Sequence, residues 1–269
     1  MKRTLCILCA LALCLGLLPA TALAATEVSY LAYSWDENTS TLTSTTGSVT
    51  DYTTVSSISS TTTWNNGWYV VSGNVSSTSD ITITVSGNVN LILPAGSNLN
   101  LTYATISIST GSTLNIYGQA DGSGTLTLGG NHRNANSGIS LGSGRVLNIH
   151  GGTVNATGAS NRAASAAYPG AGIGGSGDSD SGETCGTVTI TGGNVTATGG
   201  DGRNSGAAAG IGGGTSEINR ESGGGGTVTI SGGTVTAKGG SYSTTANGTA
   251  HGIGGVAYPY TTQNYYSDA

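Results

Sequence analysis

One phrase recurs three times with its internal spacing intact, and it limits the possible folds more than any other feature of the chain. It reads V-L-N-I-H-G-G-T-V-N-A-T-G from Val146, T-V-T-I-T-G-G-N-V-T-A-T-G from Thr187 and T-V-T-I-S-G-G-T-V-T-A-K-G from Thr227. A second phrase, G-I-G-G, begins at Gly172, Gly210 and Gly252. Each cycle therefore holds three short strands, centred on G-I-G-G, on V-T-I and on V-T-A. Looser copies precede these. Ile139/Leu141, Leu147/Ile149 and Val154/Ala156 form one triplet, and Ile106/Ile108, Leu114/Ile116 and Leu126/Leu128 an earlier one. Ile81/Ile83, Val89/Leu91 and Leu99/Leu101 form the earliest, with Ile81 in step with Ile106. The distance from one copy to the next grows along the chain while each strand keeps its length, so the coil is constant and its loops lengthen. Self-similarity at this period is the mark of a solenoid.

Apolar and polar residues alternate within each strand, so one face points inward and the other outward. A unidirectional three-strand cycle excludes a meander of hairpins and stacks Ile on Ile and Val on Val along one axis. The fold class expected is all-β, a parallel β-helix with three short strands per coil and about five to six coils at ~4.8 Å each. Crossover chirality favours the right hand. The pairs Gly151-Gly152, Gly192-Gly193 and Gly232-Gly233 fall at one corner, where a side chain would obstruct the bend. Composition agrees: 47 glycines, no Phe and 8% charged residues leave little for helices.

Lys2 and Arg3 precede an apolar run from Leu5 to Leu18, followed by Pro19 and an A-x-A site at Ala22-Leu23-Ala24. Residues 1–25 read as a secretory signal peptide, which places the product outside the cell, secreted or on the cell surface. Cys6, Cys9 and Cys14 leave with it, so Cys185 stands alone in the mature chain and no intrachain disulfide forms. No later stretch is apolar enough to span a membrane. With net charge −5 and no basic cluster, nucleic acid is not the expected partner.

Residues 26–75 lack the repeat. S-Y-L-A-Y-S-W before Asp36-Glu37-Asn38 reads as the first arm of a hairpin, and Trp64, Trp68 and Tyr69 add apolar surface. An open solenoid end exposes a bare strand edge, so 26–75 is expected to be an N-terminal β cap, 76–255 the β-helix, and 256–269 a tail or partial cap.

Several runs resemble a known group: T-T-T-W-N-N-G-W-Y-V-V-S-G from Thr61, I-T-V-S-G-N-V-N-L-I-L from Ile83, L-N-I-Y-G-Q from Leu114, and the A-G-I-G-G and G-G-T-V-T-A repeats. Together they resemble exported Gly/Thr-rich β-helix proteins of clostridia-like Gram-positive bacteria, similar to clostridial carbohydrate-binding β-helix domains of the pectin-lyase-like type. The resemblance covers most of the mature chain. It implies a right-handed β-helix and a place at the bacterial surface.

The strand faces carry almost no ionisable groups. β-Helix hydrolases need two or three neighbouring carboxylates, and lyases need acidic metal ligands beside a basic residue. Neither is present on a strand ladder, so no enzyme is expected. Chemistry is sought in the loops instead. Arg133, Arg162 and Arg203 recur at nearly the same point of successive loops, with Lys238, Tyr242 and Tyr168 close by. Stacked like charges repel unless anions sit among them. Arg forks suit carboxylates and tyrosine faces suit sugar rings. This edge is expected to bind a polysaccharide, specifically one containing uronic acid, as an adhesive or carbohydrate-binding module. The competing reading is a structural stalk with solvated arginines, partly paired with Asp201, and a polysaccharide lyase or hydrolase stands third. Across the G-I-G-G strand, Asp178, Asp180 and Glu183 echo the opening of an oxygen-ligand calcium loop without its later ligands, so calcium is the one ion considered and a solvated acidic loop the alternative. Gly138-Ile139-Ser140-Leu141-Gly142 fits G-x-S-x-G but lies on a coil strand instead of a nucleophile elbow. His132, His150 and His251 have no metal-ligand spacing.

Overall fold

The computed structural model describes residues 26–36, 38–129, 136–160, 168–178, 181–202, 206–216, 223–242 and 248–256. The chain opens with an antiparallel hairpin, β1 (Val28–Asp36) and β2 (Thr41–Val49), paired from Val28↔Val49 to Asp36↔Thr41. Asp36 Oδ1 accepts the Asn38 N–H at 2.9 Å and closes the turn. A single strand follows, β3 (Thr53–Val55), and then the coiling begins.

The first coil is β4 (Thr62–Trp64), β5 (Gly67–Val71) and β6 (Asn74–Ser76). The second is β7 (Ile81–Val85), β8 (Asn88–Leu93) and β9 (Asn98–Leu101). The third is β10 (Ala104–Ile108), β11 (Thr113–Gly118) and β12 (Thr125–Gly129). The fourth is β13 (Ile139–Ser140), β14 (Val146–Ile149) and β15 (Thr153–Thr157). The fifth is β16 (Ile173–Gly174), β17 (Thr187–Ile190) and β18 (Asn194–Thr198). The sixth is β19 (Ile211–Gly212), β20 (Thr227–Ile230) and β21 (Thr234–Lys238). After the short antiparallel pair β22 (Ser241–Tyr242) and β23 (Gly248–Thr249), β24 (Ile253–Gly254) adds one more strand.

Each third strand stacks in parallel on its counterpart, making two seven-stranded sheets and one six-stranded sheet. The protein is a parallel β-helix. Its registers place Ile106, Ile139, Ile173, Ile211 and Ile253 in one column and Leu114, Leu147, Val188 and Val228 in another. The earliest step differs from expectation by two residues: Ile106 lies over Ile83, with Ile81 over Ala104. Both residues point inward, so the alternation alone did not distinguish them. From the second to the fifth coil the inward Leu, Ile and Val side chains are almost wholly removed from water, each worth roughly 1.5–3 kcal/mol. Outside the core, Asn148 Nδ2 donates to Asn115 Oδ1 at 2.8 Å, and Asn115 Nδ2 donates to Asn90 Oδ1 at 3.0 Å. This amide ladder runs along the outer face of the sheet that contains β11.

The N-terminal segment departs from the expected cap in two ways. First, the coils begin before residue 76. β3 pairs with β5, β4 with β7, β5 with β8 and β6 with β9, all in parallel, so Thr53–Ser76 belongs to the helix itself. Second, the hairpin lies along the flank of the rod. Tyr30 packs on Trp68 and Tyr117 at centroid distances of 4.7 and 4.8 Å, and Gln119 Nε2 donates to the Ser29 carbonyl at 2.9 Å. Further along, Tyr33 sits over Gly192 and Leu42 over Gly232, where an added Cβ would come within 3.0 Å and 2.6 Å of them. The glycine corner therefore has two uses. Gly193 and Gly233 adopt φ of +85° and +82°, as the bend requires. Their neighbours Gly192 and Gly232 leave the shallow seats that the hairpin fills. No helix among the described residues is long and apolar enough to cross a membrane.

Candidate functional site

The loop edge expected to bind anions is described only at its roots. Ala156, Ala197 and Ala237 share one column. Beyond them Ser160 Oγ accepts the Asp201 N–H at 2.9 Å, and Asp201 Oδ1 accepts the Ser241 N–H at 2.8 Å. Successive loops thus leave the rod in step, two residues before Arg162 and Arg203. Those two arginines and Arg133 lie outside the described residues. Lys238 is exposed at the end of β21, and Tyr242 is half-buried on β22, bridged through Gly202 to the coil below. Tyr168 is half-buried at the end of its loop. Asp201 is engaged with backbone, a partner that residue spacing does not reveal.

In the acidic loop the structure describes two of the three carboxylates, Asp178 and Glu183. Glu183 Oε1 lies 2.7 Å from Arg145 Nη1, and Glu183 Oε2 accepts the Ser176 N–H at 3.2 Å. Its carboxylate therefore already faces a fixed positive charge, from an arginine the sequence reading had not assigned. Asp178 is exposed and Asp180 is outside the described residues. Among the described residues no group of three or more His, Cys, Asp or Glu side chains could hold a metal ion. Cys185, which forms a bridge to Gly142 beneath this ion pair, is buried. Burial first, and the Glu183 charge second, push its thiol up to about 12. Ser140 sits on a coil strand with its Oγ 3.0 Å from Ser176 Oγ. His150 stacks on Tyr117 at 4.8 Å and 11°, with Nδ1 2.9 Å from Thr191 Oγ1. Burial lowers its pKa, and the contact to the Tyr33 backbone opposes that.

A recess among the described residues lies elsewhere, at the rim where coiling begins. Trp64 occupies the same column as Val85, and Tyr69 the same column as Leu91, so both stand at core positions. Only one short strand, β3, lies beneath them. Their rings stack at 5.0 Å and 24°, and Tyr69 Oη accepts the Asn65 N–H at 2.9 Å. A recess of about 330 Å3 opens beside this pair, lined by Thr53, Ser57, Ser59, Thr62 and Thr63 with Trp64 and Tyr69. A second recess, of about 230 Å3, adjoins it and shares Thr53 and Tyr69; Asp51, Tyr52, Asn66 and Trp68 complete its lining. The turn Asn65-Asn66-Gly67 sets the three aromatic residues around these spaces. Asn66 Oδ1 accepts the Asn88 N–H at 2.5 Å and ties the turn to the coil above. The sequence reading had assigned Trp64, Trp68 and Tyr69 to covering surface; the cluster W-N-N-G-W-Y was the available signal.

Aromatic walls with convergent hydroxyls and amides can stack on the apolar face of a sugar ring while exchanging hydrogen bonds with its rim. The model of the beta helix repeat family matches residues 147–177 and 188–215. That match runs from β14 of the fourth coil to β19, the first strand of the sixth, and supports the parallel β-helix. No curated protein and no solved structure is similar enough to this chain to count as a match.

Proposed function

We propose that this protein is an exported, non-catalytic carbohydrate-binding module that works in adhesion at a bacterial surface. The observation that carries the reading is the recess at the start of the coils, with Trp64 and Tyr69 on one side and seven Ser/Thr side chains around them. Two further features support it. Among the described residues Lys238 is the only charged side chain on a coil strand, so the described strand faces offer no carboxylate pair for glycoside hydrolysis. The loop roots stack in step, which gives the arginine loops a common origin for a second, anion-directed contact with uronate.

The test is binding of residues 26–269 to a panel of neutral and uronic polysaccharides, with reducing ends and unsaturated products measured in parallel. The expected outcome is retention on at least one polymer with no product formed, and weaker retention, by about tenfold, for Thr53→Val with Ser59→Val. A folded protein that binds no polymer leaves the structural stalk as the better description. Steady release of oligosaccharides overturns the non-catalytic reading. The stalk has one observation in its favour: β20, β21 and β24 end their sheets as edge strands, a surface on which further coils could stack.

A further inference from the structure

The two recesses at the start of the coils share a wall, and the character of that wall bears on which carbohydrate fits. Resting on the carbohydrate-binding reading above, we infer that this rim takes a neutral, linear glycan and seats two consecutive sugar units, one in each recess. Thr53 and Tyr69 line both spaces, so a chain passing over Tyr69 occupies both without a break. The larger recess lies within the range of small-ligand pockets and the smaller one below it. Together they suit a ligand that extends from one into the other better than two independent ones.

The charge of the linings selects neutral sugars. Neither recess includes a Lys, Arg or His side chain, and the only carboxylate in either lining is Asp51. A uronate carboxylate brought into the smaller recess meets Asp51 and no cation to offset it. The remaining polar groups are Ser and Thr hydroxyls, the Tyr52 and Tyr69 phenols, the Asn66 amide and the Trp64 and Trp68 indole N–H groups, all uncharged partners for sugar hydroxyls. This preference is opposite to the one expected of the arginine loops, so the two surfaces are separable by ligand charge.

The experiment measures binding of residues 26–269 to neutral oligosaccharides of one to six units and to matched uronates, at low and raised salt. The rim predicts that a neutral disaccharide binds at least about tenfold more tightly than the monosaccharide, with little salt dependence. Asp51→Lys gains uronate affinity at low salt that raised salt removes. The exposed pair Thr53→Val with Ser59→Val weakens neutral binding about tenfold, while circular dichroism checks that the coils remain folded. Binding confined to uronates and indifferent to all rim variants overturns this inference and leaves the carbohydrate-binding function standing. Binding to no oligosaccharide or polymer overturns both.

Discussion

The two ends of the rod handle the same problem in opposite ways. At the start, Val55, Ile58 and Trp64 close over the first coils and are 4%, 8% and 4% exposed. At the other end, Ile230 and Ile253 are 43% and 46% exposed, although their column partners Ile190 and Ile211 are fully buried. Chain, register and residue type are the same across each of these steps; what changes, among the described residues, is the presence of a covering layer, and the tail expected over 256–269 lies outside them from residue 257 on. In a solenoid, burial therefore comes from the neighbouring coil and not from the coil itself. The plugged end has irregular strands and large aromatic side chains, and it holds the recess. The open end is made of the most regular repeats.

That contrast can be broken most forcefully at the plug. Trp64→Ala removes the largest buried side chain of the first coil and should cost about 3–5 kcal/mol in urea unfolding. At the other end the column pair Ile190 and Ile230 offers an internal control. Ile190→Ala should cost about 2–5 kcal/mol and Ile230→Ala roughly a third to a half of that, because the second side chain is already partly in water. Equal losses would mean that Ile230 is covered in solution.

A smaller effect is expected where the hairpin is held to the flank. The folded state lowers the pKa of His150 from its ordinary 6.5, so the neutral ring is the form the fold favours. Its contribution is complete above about pH 6.5, and is lost as pH falls from there through the lowered folded value, because the unfolded chain binds the proton first. The melting temperature should fall between pH 7 and pH 5, and His150→Gln should flatten that slope. The carboxylates held low, Asp36 and Asp121, act only below their ordinary 3.8 and so leave this window clear. Hydrogen exchange should show the coils beneath Tyr33 and Leu42 losing protection before the plugged end does.

The smallest perturbation tests whether the fifth coil, close to the open end, stays shut. With its thiol buried and pushed up to about 12, Cys185 should alkylate at pH 8 more than about a hundredfold more slowly than in urea. Rapid labelling of the native protein would show that these coils open readily.

Much of the fold was readable in the sequence because the β-helix repeats its own solution. Once Leu147, Val188 and Val228 are seen in step, the pairing direction and the inward face follow from strand periodicity. The first coils escaped notice for a physical reason. T-T-V and T-T-W are three-residue strands that bury a single side chain each, Val55 and Trp64, and so carry too little alternation to register. The hairpin was recognised from S-Y-L-A-Y-S-W, but an amphipathic pair of strands does not disclose which surface it covers. The glycine corners marked the bend and concealed a second role as seats for Tyr33 and Leu42. The site was least legible. Trp64 and Tyr69 form a recess because they take core columns with almost nothing beneath them, and that depends on where coiling starts. Glu183 likewise gave no hint of Arg145, since the two meet only when neighbouring coils are stacked.

The hairpin that crosses the coils also imposes an order on assembly. β1 and β2 are made before any coil, yet the seat for Leu42 at Gly232 does not exist until the sixth coil has been laid down. The hairpin must therefore wait, unattached at its tip, while five coils wind. A coil can dock on its predecessor as soon as it is formed, but the hairpin records that the sixth is in place. Its docking is a late event, and a rod that stops short of Gly232 lacks the seat for Leu42.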